Sequence, residues 1–505
     1  MQTIPQRRAA LAGTSISAVC LTLLLSGAAA ADALFDVTEI PVDERVVAAV
    51  PADADGDGRP DLLVATLSGL PPNERRQLNV YRQTEAGALV LDSASRIDIP
   101  RHSAVFDVAD IDTVAGDEIL FLVPDGVTVV SLAGPTPETR QLEVDGPTTF
   151  SAAADERGFN RHRMVYNGFG DRPTLLVPQI GALSALAPDG QLLTQMQTAR
   201  RANYVVARPA SIVSFESDIQ AFFDLPRLSV GDVNGDGLAD VVTATRHEIR
   251  VFHQDQIEGL PEQASLVLPL GLVSSEDHWR GSGSVSTSAR DVNADGRVDL
   301  VISHILGALT DTTSVTYLFL NRQGSWNLEA PDATLRTNRT LSSDVVTDIN
   351  GDGRLELLRF KIKFSLLELV ELLLQRKIDA RVAVHRLSAD DRYDEEPDAE
   401  RKISVGFSFD TFRAKGFTPR GEVDLNGDGV LDFVTSADGD GIEVYLGEAD
   451  GVFQRRALEQ DLPSAGRIEF ADLNGDALPD FVLYNQQLPG EPIRVGINRG
   501  VLPVD

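Results

Sequence analysis

Residues 424–432 read Asp-Leu-Asn-Gly-Asp-Gly-Val-Leu-Asp, and this stretch decides the fold. Acidic or amide side chains occupy its positions 1, 3, 5 and 9, and glycines occupy positions 4 and 6. Oxygen donors at this spacing, in a loop that glycines allow to turn sharply, suit a hard cation such as Ca²⁺. Because the pattern recurs along the chain, it predicts a repeat architecture as well as a metal site.

The nine-residue pattern is complete at six places and incomplete at two. The complete loops begin at Asp53, Asp232, Asp291, Asp348, Asp424 and Asp472. The loop 110–118 has Val114 where an oxygen ligand is expected. A further unit, around residues 167–174, is indicated only by the strand-like runs on either side of it. One such loop could be an ordinary Asp/Asn/Gly turn, but six at equivalent places in a repeat favour Ca²⁺.

In each complete loop we expect Ca²⁺ to contact the side chains at positions 1, 3, 5 and 9 and the main-chain carbonyl oxygen at position 7. About six Ca²⁺ sites are therefore expected. Mg²⁺ is less suited, because it dehydrates reluctantly and seldom occupies an all-protein cage. The expected ligands are Asp53, Asp55, Asp57, Arg59 and Asp61; Asp232, Asn234, Asp236, Leu238 and Asp240; Asp291, Asn293, Asp295, Arg297 and Asp299; Asp348, Asn350, Asp352, Arg354 and Glu356; Asp424, Asn426, Asp428, Val430 and Asp432; and Asp472, Asn474, Asp476, Leu478 and Asp480.

Short apolar runs of strand character lie on both sides of every loop. Residues 62–64, 300–302 and 481–483 are examples that follow a loop directly. Each unit then holds four short strands joined by turns, which is typical of one blade of a β-propeller. The sequence therefore predicts an all-β propeller of four-stranded blades. Eight blades are preferred, and seven is the alternative if the unit around residues 167–174 is only an insertion.

The two ends of the repeat region complement each other. The last unit has only three strands, the third around residues 492–496, whereas residues 34–40 form a spare strand before the first complete unit. If the spare strand pairs with the last blade, the ring closes and both sheet edges are covered. We therefore expect residues 32–505 to form a single closed propeller.

The first 31 residues have the features of a secretory signal peptide. Arg7 and Arg8 precede an apolar run at residues 9–25, and small residues follow at 26–31. The apolar run is also long enough for an uncleaved anchor, which is the alternative. Cys20, the only cysteine, lies in this segment, so no disulfide is expected in the mature protein. The sequence thus predicts export to the periplasm, the cell surface or the medium, with no membrane insertion after signal cleavage.

The longest unit contains the one segment with a clear helical pattern. Ser365 and Glu368 form a capping box, and leucine and valine residues then repeat at helical spacing. We expect a helical insertion at about residues 362–380. A helix packed on the propeller is the simpler interpretation, and a partner-docking helix is the alternative.

With these loops and strands the chain resembles the VCBS/FG-GAP repeat family, whose propellers include the integrin α-subunit headpiece. The resemblance covers essentially everything after the signal segment. It departs in lacking clear Phe-Gly and Gly-Ala-Pro motifs and in the two incomplete loops. The resemblance implies that each loop joins the first and second strands of a blade. It also implies that the bound Ca²⁺ is structural rather than catalytic.

Function is expected where the repeat is irregular, on the face opposite the loops, since elaborated loops on a rigid scaffold often bind ligands. Candidate ligand-binding residues are Arg161, His162, Arg163 and Trp279, each of which can instead be an ordinary surface or packing residue. A formal charge of −31 argues against a nucleic-acid partner. We expect a binding or adhesion module for protein or glycan. The alternatives are a Ca²⁺-dependent polysaccharide lyase and a purely structural envelope component; no standard catalytic motif is present.

Overall fold

The computed structural model describes residues 33–503 except 70–72, 86–88, 90–94, 135, 149–158, 200–201, 208–217, 224, 280–282, 308–310, 364–375, 409–412 and 437. For residues 202–207, 218–223, 279, 408 and 413–414 it describes the main chain only. The predicted signal peptide, residues 1–31, lies outside this described part. Within it, no helix is long and apolar enough to span a membrane.

The chain forms an eight-bladed β-propeller of antiparallel sheets, as the repeat pattern predicts. The first four blades are built from these strands: β2 (Arg45–Ala52), β3 (Asp61–Ser68), β4 (Arg75–Tyr81) and β5 (Ser95–Asp98) in blade 1; β6 (Val105–Ala109), β7 (Glu118–Val123), β8 (Gly126–Ser131), β9 (Glu138–Glu143) and a short inner strand, β10 (Asn160–Arg161), in blade 2; β11 (Val165–Tyr166), β12 (Thr174–Gln179), β13 (Ala182–Leu186) and β14 (Leu192–Gln197) in blade 3; and β17 (Arg227–Gly231), β18 (Asp240–Ala244), β19 (Glu248–Phe252) and β20 (Leu266–Pro269) in blade 4. A separate hairpin, β15 (Ala202–Ala207) with β16 (Asp218–Phe223), stands between blades 3 and 4 in the chain.

The last four blades follow the same plan: β21 (Gly283–Arg290), β22 (Asp299–Leu306), β23 (Thr313–Phe319) and β24 (Ala333–Asn338) in blade 5; β25 (Thr340–Thr347), β26 (Glu356–Lys363), β27 (Lys377–His385), β28 (Ala399–Ser408) and β29 (Arg413–Ala414) in blade 6; β30 (Arg420–Val423), β31 (Asp432–Ser436), β32 (Gly441–Tyr445) and β35 (Leu458–Asp461) in blade 7; and β36 (Arg467–Ala471), β37 (Asp480–Tyr484) and β38 (Ile493–Asn498) in blade 8. A small hairpin, β33 (Gly447–Glu448) with β34 (Val452–Phe453), interrupts blade 7.

Blade 8 is completed by the first strand of the chain, β1 (Phe35–Ile40). This strand pairs antiparallel with β38 along its whole length, from Phe35 opposite Asn498 to Ile40 opposite Ile493. The predicted closure of the ring is therefore confirmed. The unit around residues 167–174 is a full blade, blade 3, so the count is eight and not seven.

The hydrophobic core is divided among the gaps between neighbouring blades. Between blades 4 and 5, for example, Val242 and Ile249 share a buried cluster with Ile302 and Phe319. Each blade is apolar on both sides for this reason, which explains why the strands after the loops are continuous apolar runs rather than alternating ones.

The structure bears on two segments for which the sequence predicts a helix or a loop. The residues that carry the predicted helical insertion lie at 364–375, outside the described residues; its expected ends, Ile362 and residues 377–380, are strand residues of β26 and β27. The segment around Trp279, which the sequence places in a loop, forms a one-turn helix, α1 (Ser275–Trp279). Ser274 caps it, because its Oγ accepts the Asp277 N–H at 3.0 Å.

Candidate metal loops and channel site

Every nine-residue loop connects the first strand of a blade to the second. The loop 232–240, for instance, runs from the end of β17 to the start of β18. Because all first strands run in the same direction through the ring, the connections between first and second strands of all eight blades lie on one face of the propeller. The connections from one blade to the next therefore lie on the opposite face.

The loop of blade 4 shows how the oxygen atoms are held. The Asp232 carboxylate accepts the Gly235 N–H at 2.6 Å through Oδ1 and the Gly237 N–H at 2.8 Å through Oδ2. Asp236 Oδ1 accepts the Leu238 N–H at 2.8 Å. Gly237 has a φ of 84°, a conformation that favours glycine. The backbone of the loop thus fixes the directions of two acidic side chains.

The same contacts recur in other complete loops. The position-1 carboxylate accepts the position-6 N–H at 2.8 to 2.9 Å in each of the six. Six copies of one backbone-anchored arrangement make the position-1 and position-5 carboxylates a repeated structural feature rather than a set of unrelated turns.

The position-9 carboxyl group is buried and faces main-chain N–H groups. Asp299 is completely buried, and it accepts the Val292 N–H at 3.0 Å and the Asn321 N–H at 2.7 Å. Burial raises the pKa of Asp299 to about 6, although both N–H groups oppose the rise. Burial likewise raises the pKa of Asp61 and Asp432 to about 6 and that of Glu356 to about 7. This residue joins the loop to the third strand of its own blade.

Sequence reasoning missed one contact between neighbouring blades. The residue that makes it is the one whose main-chain N–H donates to the position-9 carboxylate. The side-chain amide of Asn321 donates to the Val233 carbonyl oxygen of the preceding blade at 2.7 Å. Asn498 does the same to Leu425 O at 2.7 Å, and Gln83 contacts Leu473 O. We call this contact the amide clasp. An Asn or Gln at the end of the third strand, after an apolar run, was its available signal.

The first loop offers the most acidic group of oxygen atoms. One oxygen each from Asp53, Asp55 and Asp57 lies within 4.8 Å of the others, and carboxylate oxygens are the donors that Ca²⁺ prefers. Two arginines already contact this group: Arg59 pairs with Asp57, and Arg82 Nη1 lies 3.4 Å from Asp55 Oδ2. The donor set fits Ca²⁺, and these two side chains would have to turn away for an ion to bind.

The incomplete loop of blade 2 differs in the way its charge is balanced. Arg140 Nη2 lies 3.1 Å from Asp112 Oδ2, so a guanidinium group neutralises one of the remaining acids. Val114 is 53% exposed and has no oxygen to offer. This loop keeps the shape of its relatives, since Glu118 still accepts the Ile111 N–H at 3.0 Å, but it lacks their donor set.

Arg161 and His162 lie along the inner edge of blade 2, beside the first residues of β6 and so toward the end of that strand that is away from its loop. The reason is that β10 pairs parallel with β6, and His162 N–H donates to Phe106 O at 2.8 Å. Arg161 Nε is 3.3 Å from Asp107 Oδ1. Burial lowers the pKa of His162, Asp107 opposes this, and His162 Nε2 has no hydrogen-bond partner among the described atoms.

Arg163 and Tyr166 continue from this strand into a central cavity of about 1000 Å³. The Arg163 guanidinium lies over the Tyr166 ring, 4.6 Å from its centroid. The cavity also includes Arg290 and Arg297 of blade 5 and the loop residue Asp232. The structure thus separates the four candidate ligand residues: Arg163 lines this cavity, Arg161 and His162 surround Asp107, and the Trp279 side chain is outside the described atoms.

These features define the class of the protein: an eight-bladed propeller with an acidic loop between the first and second strands of its blades. The FG-GAP-like repeat family matches the sequence at residues 232–302, 291–358 and 424–483. FG-GAP-like repeats are therefore present at these three places of the propeller, as the resemblance noted from the sequence implies. A search of curated proteins found no match.

Several solved structures are similar to this chain. One is an Agrocybe aegerita lectin described as recognising non-reducing terminal N-acetylglucosamine, with 13% identity, a TM-score of 0.38 and coverage of 90% of this chain and 86% of that one. Sqt1 from Chaetomium thermophilum has 10% identity, a TM-score of 0.42 and coverage of 92% and 100%. The periplasmic gluconolactonase PpgL of Pseudomonas aeruginosa has 13% identity, a TM-score of 0.30 and coverage of 85% and 98%. At these low scores the similarities carry no argument about ligand or activity.

Proposed function

We propose that this chain is an exported binding or adhesion module for protein or glycan at the cell surface or in the periplasm, with structural Ca²⁺ in its loops. The observation that carries the proposal is the sixfold recurrence of one acidic loop with its position-1 carboxylate anchored on the backbone. Recurrent identical loops suit a scaffold role, because a catalytic centre needs only one.

In each loop the ion would be held by the side chains at positions 1, 3, 5 and 9 and the position-7 carbonyl oxygen. Bound Ca²⁺ supplies positive charge among several carboxylates. The residues of the chain do the rest. In blade 5, Asp299 connects the loop to the third strand through Asn321, and the amide of Asn321 reaches blade 4. Ordering one loop would therefore stabilise two blades.

A ligand site is best supported in the central cavity. Arg163 stacked on Tyr166, with Arg290 and Arg297 nearby, offers guanidinium groups and one aromatic ring to a ligand, and three aspartates of the loops line the same cavity. Glycans and protein carboxylates both use such groups. A nucleic-acid ligand is not proposed, because the net charge of −31 would repel it.

The metal part of the proposal is tested by thermal melting with Ca²⁺ and with a chelator. We expect the chelator to lower the melting temperature, and Asp428→Ala to reduce bound Ca²⁺ from about six ions to about five. Asp112→Ala, in the incomplete loop of blade 2, is the matched control and should leave the number of bound ions unchanged. Equal melting curves with and without chelator would contradict the role of Ca²⁺.

The binding part is tested with a glycan array and a pull-down from envelope extracts, using the wild type and Arg163→Ala. Specific capture that Arg163→Ala abolishes would support the central cavity. No specific ligand in either assay would favour a structural component instead. New unsaturated ends formed from uronate polymers, and lost in His162→Ala, would replace the binding assignment with a lyase.

A further inference from the structure

A second cavity lies at the outside of the ring between blades 6 and 7. It has a volume of about 910 Å³, within the size range of sites for small ligands. Its floor is apolar, since Val382, Val384 and Phe433 line it and are buried. One wall is β28 of blade 6, and the other is the hairpin of β33 and β34. We call this cavity the 6–7 groove.

Positive charge is concentrated in the groove. Arg401, Lys402, Arg455 and Arg456 all line it. Lys402 has a partner, because its Nζ lies 2.6 Å from Asp379 Oδ2. Among the described residues, no carboxylate lies within ion-pair distance of the other three. In a chain with a net charge of −31, three arginines without acidic partners in one cavity are unusual.

Two of the three acidic residues that line the groove are paired with lysine or arginine residues other than the four just named. Glu400 is contacted by Lys361 Nζ at 2.5 Å and by Arg381 Nη1 at 2.9 Å. Asp398 is contacted by Arg386 Nη2 at 2.8 Å. Of the acidic residues that line the groove, only Glu448 has no lysine or arginine side chain within ion-pair distance in the described part of the chain. The groove therefore carries an excess of positive charge.

Arg401 is held in a fixed position between the two walls. Its guanidinium lies over the Tyr445 ring, 3.9 Å from the centroid, and Nη2 donates to Phe453 O at 3.1 Å and contacts Gln454 O. Its Nη1 has no hydrogen-bond acceptor among the described atoms. A buried donor without an acceptor costs free energy until one arrives. Arg455 and Arg456 are exposed beside it and free to close on a ligand.

We propose that the 6–7 groove is a binding site for a small ligand bearing carboxylate or sulfate groups, such as one unit of an acidic saccharide. Arg455 and Arg456 contact the oxyanion by paired N–H donors, which suit its planar or tetrahedral oxygens. Arg401 supplies a preorganised charge, and the apolar floor receives the body of the ligand. The site rests on the proposed binding function and lies apart from the central cavity.

The experiment is calorimetric titration of the full chain with sodium sulfate, citrate and a uronate trisaccharide, at low ionic strength and with Ca²⁺ present. We expect saturable binding of at least one probe that weakens as KCl is added. The double variant Arg455→Gln/Arg456→Gln should weaken it at least ten-fold. Both side chains are exposed, so this variant should fold. Arg322→Gln, a similarly exposed arginine in blade 5, is the matched control and should bind as the wild type.

The results distinguish a wrong assignment of the groove from a wrong assignment of the binding function. If no probe binds, or if the double variant binds as tightly as the wild type, the groove assignment is wrong. Capture of an acidic peptide with no binding of the three small probes would likewise overturn it in favour of a protein-docking surface. If glycan-array binding persists in the double variant, the proposed function stands and the groove is not its site.

Discussion

Arg359 and Asp344 form an ion pair in the interior, with 3.2 Å between Arg359 Nε and Asp344 Oδ1 and with 2% and 3% of their side chains exposed. Ser303 Oγ donates to Asp344 Oδ2 at 2.7 Å, and Arg359 Nη2 donates to Thr316 Oγ1 at 3.3 Å. Ser303 and Thr316 belong to blade 5, whereas the ion pair belongs to blade 6. A buried polar network therefore joins the two blades beside the apolar cluster that they share.

Removing one partner of this pair should destabilise the protein strongly. Arg359→Met leaves Asp344 as an unpaired buried charge, and such changes cost about 3–5 kcal/mol. The free energy of unfolding, measured in urea, should fall by that amount. The double variant Arg359→Met/Asp344→Leu should recover most of the loss. Arg381→Met is the control, because Arg381 belongs to an exposed pair in the same blade and should change little. Equal losses from both single variants would refute the argument.

The first strand should contribute to the stability of the whole ring. Phe35 is 1% exposed, and its ring meets Phe481 edge-on at a centroid distance of 4.9 Å. Phe35→Ala should cost about 3–5 kcal/mol, as for other buried aromatic residues. Val37 lies on the same strand but is 37% exposed, so Val37→Ala should cost far less. Chemical unfolding of both variants gives the comparison, and similar costs would argue against the closure.

The contribution of the amide clasp to stability should be measurable by substituting Asn321. Asn321→Ala leaves the Val233 carbonyl without its side-chain donor, and an unsatisfied buried group costs about 1–3 kcal/mol. Asn327→Ala, a few residues away and exposed, should be nearly neutral. We would measure hydrogen exchange in the loop of blade 4: faster exchange there in Asn321→Ala shows that the clasp acts between blades, and unchanged exchange would mean it does not.

The last loop contains a residue in an unfavourable backbone conformation. Ala477 occupies position 6, where the other complete loops have glycine, and its φ is 70°. The left-handed region costs a residue with a side chain roughly 1–2 kcal/mol. Ala477→Gly should therefore raise the melting temperature and strengthen metal binding in that loop. Gly429→Ala, at the equivalent position of blade 7, should have the opposite effect. A lower melting temperature for Ala477→Gly would contradict this account.

A buried histidine should make stability depend on pH. His385 is 1% exposed; its Nδ1 is 2.9 Å from Asp394 O, and its Nε2 has no partner among the described atoms. Burial lowers the pKa of His385; the Asp394 carbonyl opposes this, and the charges of Arg359 and Lys361 reinforce it. The unfolded state thus takes up a proton before the native state does. The stability contributed by neutral His385 should be lost as the pH falls below about 6.5.

The measurement is the free energy of unfolding of the wild type and of His385→Gln between about pH 7 and pH 5. Glutamine can keep the donor to Asp394 O but does not titrate. The difference between the two proteins should therefore shrink as the pH falls. His102→Gln is the control, since His102 is exposed. A difference that stays constant with pH would show that His385 does not cause the dependence.

Much of the fold could be predicted because it follows from a short sequence pattern that repeats along the chain. The loop at Asp424 fixes a turn, the apolar runs beside it fix two strands, and repetition fixes the ring. Ring closure followed from counting strands, and Phe35 does lie opposite Asn498. Even blade 3, whose loop keeps only one acid, Asp171, was recognisable from apolar runs, because Leu175 and Leu176 are buried between blades as their counterparts are.

The parts that sequence reasoning missed depend on which residues meet across blades. Arg359 looks like an ordinary strand residue until Asp344 and Thr316 are placed beside it. Nothing local shows that β10 pairs parallel with β6, so the position of Arg161 beside Asp107 could not be predicted. The 6–7 groove combines Arg401 with Arg455, which no repeat relates. Such contacts follow from the packing of the whole ring and not from the pattern within one unit.

The seam between β1 and β38 has a consequence for the order of folding. Its two strands come from opposite ends of the chain, and contacts of such long sequence separation form slowly. A nascent chain can build blades 1 to 7 one after another, while β1 waits unpaired until β38 has been made. During that interval a β-strand edge is open to other chains. Slow refolding at high concentration should therefore produce strand-exchanged oligomers.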